Sequence, residues 1–590
     1  MADHQATAPT KGASGDWVRV AALAELAPGP CAVVHVEGRT LAIVRDQDRI
    51  YAVDNRCPHM GFPLDRGSVC DGILTCHWHH ARFDLATGGT FDQWADDVQA
   101  YPVEVRDGEL WIDLTPRGDQ RRHHLERLQV GLERNISLVI GKAVLPLVAD
   151  NPRAVEPFQI GLEFGTRFRR AGWGQGLTIH VCLRNLLPWL DADDQPRAVF
   201  HGLSAVANDC DGEPPRFSVR PLPTASVAPA LLKRWFRQFI EVRDAEGAER
   251  CIASAVRAGA DSRQMADMLF AAATDHRYLD IGHPLDFTNK ALEALDVAGW
   301  KYAEPALTSL ASAYASAERM EEANEWRHPI DLVALVEAAF EELPAALASG
   351  GERQGEWRVP DALVPCLLSD DPPAIVAGLV DALRSGCAPV ELSGLVVYAA
   401  ALRIARFPTS NEFRDWDTAL HSFTFANAVQ QGLRRSASPE LLRGVFDAAM
   451  SVYLNRFLNV PAVPIPAADE AGDSAELLRQ LPGLLNQRHE VNAAARLVVG
   501  YLTGGGDPDR LLAMLGELLL REDRDFHTIQ MLEGAFRQHQ QLRGLPAGMH
   551  MLTAAVRYLA AHAPTMRSQD QTWRIVERLH HGEKTYETST

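Results

Sequence analysis

Between Trp17 and Leu114 the apolar positions fall in short runs broken by Gly, Asp and Pro: CAVVHVEG, RTLAIVRD, DRIYAVDN and QAYPVEVRDGELWIDL. Runs of this length, rich in Val, Ile and Tyr and bounded by turn formers, predict β-strands. Asp107-Gly108 lies between two alternating runs and predicts a two-residue hairpin. Residues 16–114 are therefore expected to form a small all-β module. The polar stretch TPRGDQRRHHLER ends this pattern, and 115–125 reads as a linker. Beyond it the spacing becomes helical. Ser438-Pro439-Glu440 supplies an N-cap and a Pro at the first turn, followed by Leu441, Leu442, Val445, Ala449 and Val452 on one face. Asp507-Pro508 opens another such helix, and Asp473 with Glu476 fits a capping pattern. The fold class expected is multidomain: a small all-β module, then a large, predominantly α-helical region over 126–590, built as one or two domains.

Composition narrows the partners. The 590 residues carry 77 acidic and 58 basic side chains, a net charge of −19, which disfavours nucleic acid or an anionic membrane as the main partner. No apolar run approaches the roughly 20 residues of a membrane helix. The first 15 residues, MADHQATAPTKGASG, lack the apolar stretch of a secretory signal and read as a flexible polar tail. A cytoplasmic location follows as the expectation. Nine cysteines in a chain of this length are then more plausible as ligands than as disulfides where their spacing is tight. The scattered Cys182, Cys210, Cys251, Cys366 and Cys387 have no such spacing and read as small buried residues.

Tight spacing occurs once. Cys57-Pro58-His59 is followed, after 16 residues, by Cys76-His77-Trp78-His79. Two thiolates and two imidazoles on two loops suit a [2Fe–2S] cluster with mixed ligation, the cysteines on one iron and the histidines on the other. Zinc accepts the same donors, but finger-type spacing groups cysteines with cysteines and histidines with histidines. The interleaving here favours the cluster. CPHMGFPLDRG and CHWHHARFDLATGG resemble the two ligand loops of Rieske-type ferredoxin domains of ring-hydroxylating dioxygenase systems. The resemblance implies Cys57 and Cys76 on an inner iron, His59 and His79 on an outer one, and tight turns at Gly61, Pro63 and Gly88. It departs at His80, where the family commonly has Gly, and in lacking the additional loop cysteines of high-potential members.

The helical region has its own histidine pattern. His283-x₃-Phe287-x-Asn289-x₅-Leu295 and His421-x₃-Phe425-x-Asn427-x₅-Leu433 are a near-repeat, with looser relatives at His201, His489 and His527. Each places a His at or near the start of a helical run, with acids such as Asp280, Asp417 and Asp525 close by. His283, His421, His201 and His527 are the expected ligands of an additional iron or other transition metal, with carboxylates as co-ligands or orienting groups. The bland alternative is helix capping. No H-x₄-H occurs, which argues against the catalytic domain of a standard ring-hydroxylating oxygenase. Long helices opening with His are similar to questin-oxidase-like proteins, a resemblance that implies oxygenation and carries no residue across. The function expected is an oxidoreductase in which the cluster relays electrons from an external ferredoxin or reductase to the histidine centre, for O₂-dependent oxidation of a small organic substrate. The alternative is an electron-transfer or redox-responsive scaffold protein whose cluster is its one metal site. A homo-oligomer is compatible with either, and catalytic residues are not assigned.

Overall fold

The computed structural model describes residues 16–585 except 27–28, 30, 116–118, 224–226, 354 and 468–472. The expected tail at 1–15 lies outside the described residues. The chain divides into two compact units, one made of the N-terminal residues to 131, 136–147 and 572 onward, the other of 132–135 and 148–571.

The first unit is built on ten strands: β1 (Trp17–Ala22), β2 (Cys31–Val36), β3 (Arg39–Asp46), β4 (Arg49–Asp54), β5 (Ser68–Cys70), β6 (Ile73–Thr75), β7 (Arg82–Asp84), β8 (Ala100–Tyr101), β9 (Val103–Arg106) and β10 (Glu109–Asp113). They form three antiparallel sheets ordered β1-β10-β9, β2-β3-β4-β8 and β5-β6-β7. The predicted hairpin joins β9 to β10, with Asp107 and Gly108 both at positive φ (51° and 79°), as a type I′ turn requires. β3 explains why RTLAIVRD has four apolar residues in succession. Leu41 and Ile43 point into one core with Leu110 and Ile112, while Ala42 and Val44 point into a second with Leu64, Leu74, Phe83 and both Cys57 and Cys76. Side chains alternate across a strand, so a strand between two cores needs no polar face.

Three helices complete this unit: Gln120–Glu133, Ser137–Val148 and most of Ser568–His580. The first begins inside the stretch 115–125 expected to be a linker. These helices are grouped with the strands, and the remainder of the large helical region forms the second unit.

The second unit is helical throughout. Three of its helices, His283–Ala298, Phe413–Arg435 and Phe526–Gln541, are called below the 283, 413 and 526 helices. The capping expectations hold at Ser438, Asp473 and Asp507, each of whose side chains accepts a backbone N–H of the first turn. Among the described residues, no helix is long and apolar enough to cross a membrane.

Candidate metal centres

In the first unit the two sequence motifs form matching loops. The Cys57 N–H donates to Phe62 O (2.8 Å) and Gly61 N–H to Cys57 O (2.7 Å); the Cys76 N–H donates to Ala81 O (2.8 Å) and His80 N–H to Cys76 O (2.9 Å). Gly61 and His80 occupy equivalent left-handed positions, at φ 78° and 63°. His is among the non-glycine residues that tolerate this conformation, so the departure from Gly leaves the loop shape intact. Gly88 is obligatory, since a Cβ there would meet the Val98 carbonyl oxygen at 1.9 Å. Both thiols are buried, at 2% and 1% exposure. The interaction between the two thiols lifts the Cys57 pKa and lowers that of Cys76. His59 and His79 meet edge to face at 4.8 Å between ring centres, with His79 exposed and His59 half-buried. Trp94 packs on His59 and Trp78 on His79. His59 Nδ1 is buried with no hydrogen-bond partner.

In the second unit His283, His421 and His527 converge, each offering a ring nitrogen within 4.8 Å of the other two. His421 Nε2 and His527 Nε2 are 3.1 Å apart. Two imidazoles bound to one ion at about 2.0–2.1 Å have nitrogens about 2.9–3.4 Å apart, so the spacing suits a shared metal. His283 Nδ1 lies 3.2 Å from the carbonyl oxygen of Asp280, a bond that leaves Nε2 unprotonated. Asp417, held by the Tyr558 hydroxyl (2.5 Å), has its other oxygen 3.9 Å from His527 Nδ1. Burial lowers the pKa of His283, and burial with the two neighbouring imidazoles takes His421 down to about 2, which favours the neutral, ligating form.

His283 and His527 lie in the first turns of their helices, as expected, but His421 does not. The capping box of Glu412 and Asp415 starts the 413 helix two turns earlier and places His421 in its interior. His201 is a correction of another kind. It is buried in the helix Asp194–Cys210 beside a small cavity shared with Glu522, Arg524 and Gln569, and it does not join the cluster of three. His489 is exposed in a turn, and His276 is clamped between Glu321 (2.6 Å) and Glu241 (3.1 Å).

Two features had no legible signal. The backbone before His283 is strained: Tyr278, Asp280 and Ile281 have φ of 45°, 43° and 49°, and Gly282 follows at 99°. A β-branched residue at positive φ is a costly outlier of the kind that collects at functional sites. One turn along the 283 helix from His283, the buried Asp286 accepts from Gln530 of the 526 helix. Beyond it Lys290 Nζ pairs with Glu293 (3.0 Å) and Glu533 (2.7 Å), and Arg537 closes on both acids.

Residues 16–102 match the model of the Rieske [2Fe-2S] domain. The ferredoxin component of the naphthalene 1,2-dioxygenase system of Pseudomonas putida is 31% identical over 100 residues, which are 17% of this chain and 96% of the relative. The ferredoxin component of the alkene monooxygenase system of Xanthobacter autotrophicus is 28% identical over 102 residues, 17% of this chain and 84% of the relative. Among solved structures, a ferredoxin of carbazole 1,9a-dioxygenase from Nocardioides aromaticivorans is 35% identical over 16% of this chain and 96% of its own, with a TM-score of 0.16. Through its N-terminal β module the chain belongs to the Rieske [2Fe–2S] family, as a ferredoxin-type electron-transfer domain joined to a large helical region.

Proposed function

We propose that the chain is an oxidoreductase in which a [2Fe–2S] cluster on Cys57, Cys76, His59 and His79 passes single electrons to an iron or other transition metal on His283, His421 and His527. The buried pair of thiols and the unpartnered His59 Nδ1 support the first site. The observation that carries the second is the convergence of three imidazoles from three helices in a chain that already holds a one-electron carrier. When bound, a three-histidine metal supplies open coordination positions for O₂ or a small organic substrate. The residues do the rest. Asp280 O orients His283 through its Nδ1 atom, Asp417 stands within charge-pairing reach of His527 Nδ1, and Phe287 and Phe526 form an apolar wall beside His283. Electrons enter the cluster from an external ferredoxin or reductase in the cytoplasm.

The second reading, an electron carrier or redox-responsive scaffold with the cluster as its one metal site, is favoured by the 3.1 Å His421–His527 spacing, which equally suits a direct hydrogen bond. Metal analysis separates the two readings. Anaerobically purified wild type is expected to hold more than two metal ions per chain. Cys57→Ala/Cys76→Ala should keep only the extra ion, and His283→Ala should lose it while keeping the cluster's visible absorption. Two irons in wild type and none in the cysteine variant would leave the second reading standing.

A further inference from the structure

The helices that join the β module hold its first ligand loop at named atoms. Lys142, on the helix Ser137–Val148, donates from Nζ to the Pro58 carbonyl oxygen (2.5 Å) and pairs with Asp96. Arg127, on the preceding helix, grips Asp96 at 2.6 Å and donates to the carbonyls of Gln93 and Ala95, both at 2.8 Å. Arg56 reaches the C-terminal segment, donating to Leu579 O (3.1 Å) and Glu583 O (2.7 Å), and the Thr585 hydroxyl donates to Met60 O. Arg127, Lys142 and residues 579–585 all lie beyond the stretch that matches the Rieske domain, 16–102.

The Pro58 contact has a particular geometry. The carbonyl that accepts from Lys142 belongs to the same peptide group as the His59 N–H, next to Cys57, and the N–H groups of His59 and Met60 both favour the thiolate form of the Cys57 sulfur. An ammonium on one end of a peptide polarises the donor at its other end. Hydrogen bonds to sulfur and nearby net charge are the levers that set the potential of an iron–sulfur cluster. Asp96 opposes Lys142. Burial pushes its carboxyl up, but Lys142 and Arg127 more than offset this, so it stays ionised beside the loop.

We propose that Lys142 is a positioning residue for the cluster: acting through the Pro58–His59 peptide it favours the reduced state, and Asp96 restrains it, so the appended helices set the potential of the Rieske module. Reduction adds one electron to the cluster, and a fixed cation lowers the cost of that added charge while a fixed anion raises it. This rests on the cluster being held at Cys57, His59, Cys76 and His79 and is independent of a second metal.

The test is a spectroelectrochemical titration of the full chain with Lys142→Gln, Lys142→Met, Lys142→Arg and Asp96→Asn, each checked for two cluster irons and for its electron paramagnetic resonance signal when reduced. Lys142→Gln and Lys142→Met are expected to lower the midpoint potential and Asp96→Asn to raise it, with Lys142→Arg close to wild type. A purely structural role gives no opposed signs. Equal potentials across the series, or shifts of one sign in Lys142→Gln and Asp96→Asn, would overturn the proposal. If Lys142→Met loses its irons, the pair Lys142→Gln and Asp96→Asn still decides. Loss of the irons in Cys57→Ala/Cys76→Ala tests the ligand set separately.

Discussion

Asp286 shows how one buried carboxyl couples the helical unit to pH. Burial raises its pKa to about 7, against the nearby Lys290 charge and the Gln530 hydrogen bond, which act to lower it. A carboxyl raised in the folded state binds its proton more tightly there than in the unfolded chain. Its stabilising contribution is therefore complete below pH 4 and is lost as pH rises toward and through 7. From the usual value near 3.8 the loss is bounded by about 4 kcal/mol. Asp286→Asn, which keeps the shape without the titration, is expected to flatten stability between pH 5 and pH 8, with its gain over wild type growing toward pH 8. Urea unfolding at the two pH values measures this, and an unchanged slope would assign the pH dependence elsewhere. Of the residues that matter at this scale, Cys57, His59, Cys76 and His79 were legible because their interleaved spacing is chemical information in itself. Tyr558 and Glu533 were not, because each acts on a partner more than 100 residues away in sequence.

At the scale of elements, the segment 278–282 is the one whose conformation the sequence least suggests and the site most needs. Gly282 stands at φ 99° with Phe425 against it, so that a Cβ would lie 2.8 Å from the phenylalanine side chain. Gly282→Ala combines left-handed strain with overpacking and is expected to cost about 2–4 kcal/mol. Because His283 follows immediately, the same change should release metal from the helical unit while leaving the cluster spectrum untouched. Thermal unfolding and metal counts check both. The near-repeat around His283 and His421 brought two true neighbours together, their rings 4.9 Å apart, for a reason the pattern only half captured. It fixed which faces of the 283 and 413 helices carry histidine, yet it placed His421 at a helix start and drew in His201. Helical periodicity states which face is buried but not against which neighbour, and His201 is buried against a different one. The β hairpin at Asp107-Gly108 was legible in full, since its turn type is fixed by the two residues that make it.

For the whole molecule, a metal that binds the folded helical unit and not the unfolded chain must raise its stability. At a hundredfold excess over the dissociation constant the gain is about 2.7 kcal/mol. Chelation under conditions that spare the cluster is expected to lower the unfolding temperature of the helical unit by several degrees, and ferrous ion to restore it. His421→Ala should abolish the response. Calorimetry with the cluster absorbance followed in parallel separates the two units, and a wild type indifferent to the chelator would favour the electron-carrier reading.

The two ends of the electron-carrying unit also set a schedule for its assembly. Arg56 and Met60, beside the first cluster ligand, find partners in residues 579–585, and the whole helical unit is encoded between them. At roughly 5–20 residues per second, a ribosome needs about 25–105 s to travel from the one part to the other. During that interval the β strands can pair while the loop that receives iron stays unclasped. The final clasp closes only on chains synthesised past residue 579, which makes a firmly held cluster a mark of a chain whose helical unit has already been made.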